Sequence, residues 1–330
     1  MLRLPDFDYV RPKSLKDAAA ALADFGPDAM AVAGGTDVYP KMKRGQFTPR
    51  HVISLRSLPE LKGIRAEKEG LRIGAGETLT HIARNSIVAE RFPALAQAAG
   101  LVSTPQLRNV GTIGGNVFVD TRCNYYDQSF FWREAAGFCL KKDGDICLVA
   151  PKSRRCLAVF SSDTAPVLCS LNAVAVLAGP KGSRRIALER LYRNDGIDFL
   201  AKKNHELLQA IIVPGRAAES RNIYLKLRRR GSFDFPVLGV AAALQFKKDA
   251  CTAAKIVLTA VDSAPVAVDA SLLEGAVITR ERIEAVGDAA ARVSHPVDNA
   301  DMDYWYRKRM TKVYVMRALA QLAGLELKHP

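Results

Sequence analysis

The chain lacks any apolar run long enough to cross a bilayer. Residues 173–178 and 236–244 are among its longest apolar stretches, against roughly 20 residues for a spanning helix. It has only five histidines, and none stands near a Ser or Cys in a pattern that marks a nucleophile and its base, which argues against a hydrolase. His81 is expected to cap or border a helix, and His51, His205, His295 and His329 to lie on the surface or in loops. No two cysteines show the two-to-four-residue gap of a zinc knuckle. The opening Met1-Leu2-Arg3-Leu4-Pro5-Asp6 has no apolar segment followed by a small-residue cleavage site, so secretion is not expected. The expected location is cytoplasmic, where thiols stay reduced and a disulfide framework does not form.

Acidic residues are also scarce: 34 against 48 basic ones, a formal charge of +14. No helix-turn-helix, zinc-finger or ribonucleoprotein motif accompanies this excess, and its clusters are scattered, so nucleic acid is not the expected partner. An acidic protein drawn in by charge suits it better. With hydrophobic residues at 48% and charged ones at 25% of 330, the chain reads as globular, with room for two or three domains.

Elements alternate along the chain. Ser14 caps a helix with Leu15, Ala18, Ala19, Leu22 and Phe25 on its apolar face, stopped by Gly26-Pro27. A strand at 29–32 leads into Val32-Ala33-Gly34-Gly35-Thr36-Asp37, then a helix to Arg44 and a strand near 51–55. A second unit has a strand at 71–75, short helices at 80–85 and 93–99, and strands at 173–177 and 207–213. Pro214-Gly215-Arg216 marks a boundary. Beyond it, Tyr224, Lys226 and Arg228 share one face of a strand, buried strands follow at 237–246 and 255–261, and helices at 281–293 and 302–323 close the chain. The expected units are 1–56, 57–216 and 217–330.

Chemistry concentrates between Gly111 and Cys156. Gly111-Thr112-Ile113-Gly114-Gly115-Asn116 and the earlier Gly34-Gly35 turn each place successive N–H groups where an anion nest can form. Neither matches the three-glycine dinucleotide fingerprint. Cys123, Cys139, Cys147 and Cys156 follow, separated by 15, 7 and 8 residues. Four thiols this close in a reducing compartment point to a four-sulfur site for zinc or an iron–sulfur cluster, and the spacing leaves the two open. Arg122, Lys141, Lys142, Lys152, Arg154 and Arg155 are expected to favour thiolates. Tyr125, Tyr126, Phe130, Phe131, Trp132 and Phe138 are candidates to shield the site. Cys169 is expected in an apolar run and Cys251 at a polar turn.

On these residues the chain resembles, over nearly its whole length, the flavoprotein subunit of the molybdenum hydroxylase (xanthine oxidase) family. Val32-Ala33-Gly34-Gly35-Thr36-Asp37 is similar to that family's first FAD pyrophosphate loop, and Gly111-Thr112-Ile113-Gly114-Gly115-Asn116 to its second. Ser162-Asp163-Thr164-Ala165-Pro166 resembles the turn whose acid contacts the ribityl side. Tyr224-Leu225-Lys226, with Arg230, resembles the strand whose lysine approaches the flavin ring. Pro265, Leu273-Glu274-Gly275 and Tyr306-Arg307 resemble its carboxy-terminal domain. The resemblance implies an α+β fold: a two-lobed vanillyl-alcohol-oxidase (PCMH-type) FAD-binding domain, then a C-terminal antiparallel-sheet-and-helix domain like that of the CO dehydrogenase flavoprotein. It implies FAD held by both loops with Asn116 and Asp163, and Lys226 beside the flavin.

The cysteine stretch, an insertion at about 118–160, resembles one branch of that family, the beta subunit of 4-hydroxybenzoyl-CoA reductase. There the insertion holds a four-iron–four-sulfur (4Fe-4S) cluster, which implies Cys123, Cys139, Cys147 and Cys156 as ligands. The resemblance further implies reductive removal of the ring hydroxyl of 4-hydroxybenzoyl-CoA. Electrons would come from an acidic ferredoxin and pass to a small 2Fe-2S subunit and a large subunit with a molybdopterin-cytosine-dinucleotide-type molybdenum cofactor, in a dimer of heterotrimers. Substrate chemistry would lie in a partner. The alternative is the FAD subunit of an NAD-linked xanthine, aldehyde or CO dehydrogenase with a structural four-cysteine site. A metal-binding scaffold without flavin is the remaining reading.

Overall fold

The computed structural model describes residues 2–326; Met1 and residues 327–330, among them His329, lie outside the described residues. Three sheets follow one another along the chain. The first is parallel, in the order β1-β3-β2, from β1 (Asp8–Val10), β2 (Ala29–Val32) and β3 (His51–Ser54). Parallel neighbours need crossover connections rather than hairpins, and here these are α1 (Leu15–Phe25) and α2 (Val38–Lys43). The Ser14 hydroxyl accepts from the Asp17 N–H at the start of α1, which buries Leu15, Ala18, Ala19 and Leu22. That i, i+3, i+4, i+7 stripe is what a one-sided helix presents to a core.

The second sheet is antiparallel, ordered β4-β5-β8-β6-β7. Its strands are β4 (Ile64–Glu67), β5 (Gly70–Gly74), β6 (Val174–Gly179), β7 (Gly182–Ala187) and β8 (Leu207–Pro214). Between β5 and β6 run α3 (Leu79–Arg84), α4 (Ser86–Arg91), α5 (Pro93–Leu101), α6 (Pro105–Arg108), α7 (Ile113–Val117), α8 (Phe130–Ala135) and α9 (Thr164–Ser170). Leu71, Ile73, Ile211 and Val213 from the sheet pack on Ile82, Leu95, Ala98, Val167 and Leu168 from the helices.

The third sheet is antiparallel, β12-β11-β10-β9, with β13 also paired to β11. Its strands are β9 (Arg221–Leu227), β10 (Leu238–Lys247), β11 (Ala250–Thr259), β12 (Val266–Val268) and β13 (Ala276–Val277). Val240, Ala242, Leu244, Ile256 and Leu258 face α10 (Arg280–Val293) and α11 (Tyr304–Ala323). Tyr224, Ala241, Ala243 and Val257, on the opposite face, join the core under the second sheet. A strand's side chains alternate between faces, so a sheet covered on both sides needs apolar residues at every position, as the middle of β10 has. Arg307 ties α11 to this sheet: its buried guanidinium donates to the carbonyls of Val237 (3.0 Å), Val297 (3.0 Å) and Ala260 (2.6 Å).

Two expectations need correction. Cys251 lies buried inside β11, not at a turn, and His81 sits within α3 rather than at its border. Among the described residues no helix is long and apolar enough to cross a membrane.

Candidate functional site

The two glycine turns form one structure. Gly34 lies so close to the segment before the second turn that a Cβ there would stand 2.3 Å from the Val110 carbonyl oxygen, and a Cβ on Gly111 would stand 3.5 Å from Thr36 Oγ1. Gly35 has φ +71°, a conformation glycine adopts without the steric penalty a side chain brings. Among the described residues no protein acceptor takes the N–H groups of Gly34, Gly35, Thr36 or Asp37. Gly34, Gly35 and Thr36 border a cavity of about 530 Å³ lined also by Tyr39, Lys43, Arg44 and Leu107. Free N–H groups with two cations alongside make an anion site.

The second turn differs from the open nest expected of it. Residues 113–117 form the short helix α7, with Thr112 as N-cap. The N–H of Ile113 donates to Glu77 O, that of Gly114 to Ala75 O, and that of Gly115 to Thr112 Oγ1. Its donors are thus occupied, and what it offers is close approach. Gly115 is exposed while Gly114 and Asn116 on either side are buried, and a Cβ on Gly115 would meet only Thr112 Oγ1, at 3.3 Å.

Asn116 connects this turn to the acidic one. Its Oδ1 accepts from Ser162 Oγ (2.8 Å), Thr164 N (3.1 Å) and Thr164 Oγ1 (2.7 Å). Asp163 between them is buried and accepts from Tyr224 Oη at 2.8 Å and Lys226 Nζ at 3.0 Å. Lys226 donates also to Leu101 O at 3.0 Å, and Arg228 NH1 reaches the same carbonyl at 3.3 Å. Tyr224, Lys226 and Arg228 therefore do share one face. Burial raises the Asp163 pKa and lowers that of Lys226, both toward neutrality; their attraction offsets only part of the desolvation.

All four cysteines of the insertion are buried and free of disulfides. Cys123, Cys139 and Cys156 pack in one group with Tyr126 and Ala158, edged by Tyr125, Leu140, Leu148 and Val149. The fourth, Cys147, lies near enough to Cys156 to act on its titration. Among the described residues no three Cys, His, Asp or Glu side chains close around a point as a single ion requires. The thiols share one buried neighbourhood.

Two expectations about this stretch change. Burial outweighs the basic neighbours at two of the thiols: it pushes Cys123 up to about 12 and, against the lowering by Lys141, Cys156 up to about 11. The cations are engaged elsewhere, Lys141 with Asp120, Lys142 with Asp143, Arg155 with Asp262, and Arg122 with Asp37 and Asp127. Nor do all the aromatics shield the sulfurs. Tyr125 and Tyr126 pack against them, but Phe130, Phe131 and Trp132 on α8 are exposed, Phe131 by 75%.

Comparison with known proteins decides the family. The domain described as "FAD binding domain in molybdopterin dehydrogenase" matches residues 5–216, and "CO dehydrogenase flavoprotein C-terminal domain" matches residues 222–322. This chain belongs to the FAD-binding subunits of the molybdenum hydroxylase family. Like other members of the family, it is an oxidoreductase subunit and FAD is its cofactor. It is 30% identical over 319 residues to the carbon monoxide dehydrogenase medium chain of Hydrogenophaga pseudoflava, covering 96% of each. It is 30% identical to an aldehyde oxidoreductase FAD-binding subunit of Escherichia coli, over 96% of this chain and 99% of that one. A solved carbon monoxide dehydrogenase structure from Hydrogenophaga pseudoflava superposes with a TM-score of 0.81 at 29% identity over 98% of both chains.

In a molybdenum hydroxylase flavoprotein the residues assembled here suit FAD. The free N–H groups of 34–37, with Lys43 and Arg44 beside them, complement a pyrophosphate. Lys43 and Arg44 form with Lys41 one of the basic clusters of the sequence, and the cluster alone did not mark them for the flavin. They sit at the end of α2 and at its C-cap, eight and nine residues after Gly35, and that spacing was the available signal. Lys41, in the same cluster, turns the other way. It is fully buried, 2.6 Å from Asp120 at the root of the insertion, with its ammonium over the Tyr126 ring at 4.4 Å.

Proposed function

We propose that this chain is an electron-relay subunit carrying FAD and a 4Fe-4S cluster, with Cys123, Cys139, Cys147 and Cys156 as the cluster ligands. The observation that carries the reading is the cysteine shell: four buried thiols gathered together, yet in no single-ion arrangement among the described residues. A mononuclear zinc site draws its sulfurs to about 2.3 Å from one ion; a four-iron cluster holds four thiolates farther apart. Since burial holds Cys123 and Cys156 protonated on their own, assembly would release protons and stabilise the insertion.

When bound, FAD exchanges electrons in pairs or singly and the cluster exchanges them singly. The chain's own residues hold and separate the two. The free N–H groups of Gly34, Gly35, Thr36 and Asp37, with Lys43 and Arg44, would take the pyrophosphate. Val32 and Ala33 lead into that turn, Gly111 lies against its Thr36, and Thr112, Ile113, Gly114 and Gly115 would let the cofactor approach closely. The Asn116 amide nitrogen has no protein acceptor among the described residues and is free for the sugar chain. The Asp163–Lys226 pair forms the wall beyond. The partners would be a large molybdenum subunit and a small 2Fe-2S subunit, since relatives carry the names medium chain and FAD-binding subunit.

The finer reading is a reductive aryl-CoA enzyme of the 4-hydroxybenzoyl-CoA reductase type, fed by a ferredoxin. Lys152 and Arg154, exposed and without an ion pair among the described residues, offer an acidic carrier a basic contact near Cys156. A second reading has its own support: the near-complete relatives include carbon monoxide and aldehyde enzymes, which favours an oxidative hydroxylase. One experiment separates them. The complex copurifying with this chain is assayed with reduced ferredoxin and 4-hydroxybenzoyl-CoA, and separately with aldehydes and purines plus NAD. Dehydroxylation to benzoyl-CoA supports the reductase; turnover only in the oxidative assay overturns it and leaves the relay intact.

A further inference from the structure

Arg122 stands immediately before the first cysteine of the shell, and its side chain bridges the insertion and the first glycine turn. One terminal nitrogen bonds Asp37 Oδ1, in the first glycine turn, and the other bonds Asp127 Oδ1 at 3.2 Å. Asp127 in turn accepts from the Cys123 N–H through its other oxygen at 3.1 Å. The Arg122 backbone exchanges two 2.7 Å hydrogen bonds with Val159, tying the start of the insertion to its end beyond Cys156. Its guanidinium also stacks over the Phe235 ring at 4.2 Å, from the third domain.

Three more buried side chains join the same two regions. Lys41 of α2 lies 2.6 Å from Asp120 and 3.4 Å from Asp127. Gln46 Nε2 donates to Tyr126 O at 2.7 Å, and Arg133 of α8 donates to Gly45 O at 3.1 Å. The insertion is therefore stitched to the segment that follows the flavin turn. A guanidinium shared between two carboxylates makes charge-assisted hydrogen bonds to both, and in such a network neither end moves independently.

We propose that Arg122 is a positioning residue that couples the cysteine shell to the first flavin turn, so that cluster assembly and FAD binding strengthen each other. The inference rests on the electron-relay reading. Both occupants need one segment ordered, whichever comes second meets that segment already fixed, and thermodynamic linkage makes the effect equal in both directions.

The test measures FAD affinity in the full chain, within the complex it copurifies with. The complex is deflavinated and retitrated with FAD by fluorescence quenching, before and after the iron is removed with an oxidant and chelator. Wild type is expected to bind FAD about tenfold more weakly without its cluster. In Arg122→Gln that ratio is expected to fall to about one, although the variant binds FAD less well in both states. A merely structural arginine would weaken both states equally and leave the ratio untouched, which would overturn the proposal; so would a wild-type ratio of one. Should Arg122→Gln not fold, Asp127→Asn breaks the same link from the cysteine side and is judged by the same ratio. A wild-type chain that never takes up iron refutes the relay reading instead, and iron analysis beforehand tells the two failures apart.

Discussion

The α-carbon of Gly34 lies against the Val110 carbonyl, so that a Cβ there would come within 2.3 Å of its oxygen. Gly115, by contrast, is exposed, and a Cβ there would meet only the Thr112 hydroxyl, at 3.3 Å. The two glycines should fail differently. Gly34→Ala forces the turns apart and should cost about 1–3 kcal/mol, as overpacking does, read as a lower melting temperature together with flavin loss. Gly115→Val should fold normally and lose FAD, because its side chain enters the cofactor's space. Normal circular dichroism with a missing flavin spectrum is the expected result; full flavin loading would show that the second turn does not border FAD.

Lys226 and Asp163 are nearly inaccessible, with side chains 1% and 3% exposed. Lys226→Met leaves a buried carboxylate without its cation and should cost about 3–5 kcal/mol. Replacing both, Lys226→Met with Asp163→Asn, removes the uncompensated charge and should recover much of that loss. Chemical denaturation of the three forms measures it; additive losses would mean that the two charges do not depend on each other.

Much of this arrangement was legible in the sequence. Ser14 with its apolar stripe placed α1, and the strands at 29–32 and 207–213 needed only period and turn residues. The residues of both glycine turns, Asp163 and Lys226 were picked out, and the structure brings Asn116, Asp163 and Lys226 into one hydrogen-bonded wall. Other features left little local trace. β7 has four exposed residues in succession, Gly182-Ser183-Arg184-Arg185, because it is an edge strand with no apolar alternation. The occupation of the second turn's N–H groups depends on Ala75 and Glu77, more than thirty residues away, and no local pattern encodes it. The engagement of the cysteine-side cations with Asp37, Asp120 and Asp262 is likewise a product of folding, and at Cys156 burial outweighs the lowering that Lys141 supplies.

Acid should loosen the insertion at its root. Burial alone would raise the Asp120 carboxyl, but Lys141 and Lys41 overcome it and hold it at about 2, below the ordinary 3.8. A carboxyl depressed in the folded state stabilises above its unfolded pKa and stops doing so as pH falls through the folded one. The contribution, about 2 kcal/mol at neutral pH, should thus be intact above about pH 4 and fade toward pH 2. Denaturation midpoints across this window should fall for wild type by more than for Asp120→Asn, which starts less stable. Equal slopes would remove Asp120 from the account.

Iron and acid-labile sulfide analysis of the purified chain tests the cysteine shell most directly, with flavin measured in the same sample. The account expects about four iron and four sulfide per FAD, lost in Cys139→Ser while FAD still loads from excess. Zinc in their place, or flavin with no metal at all, would contradict it.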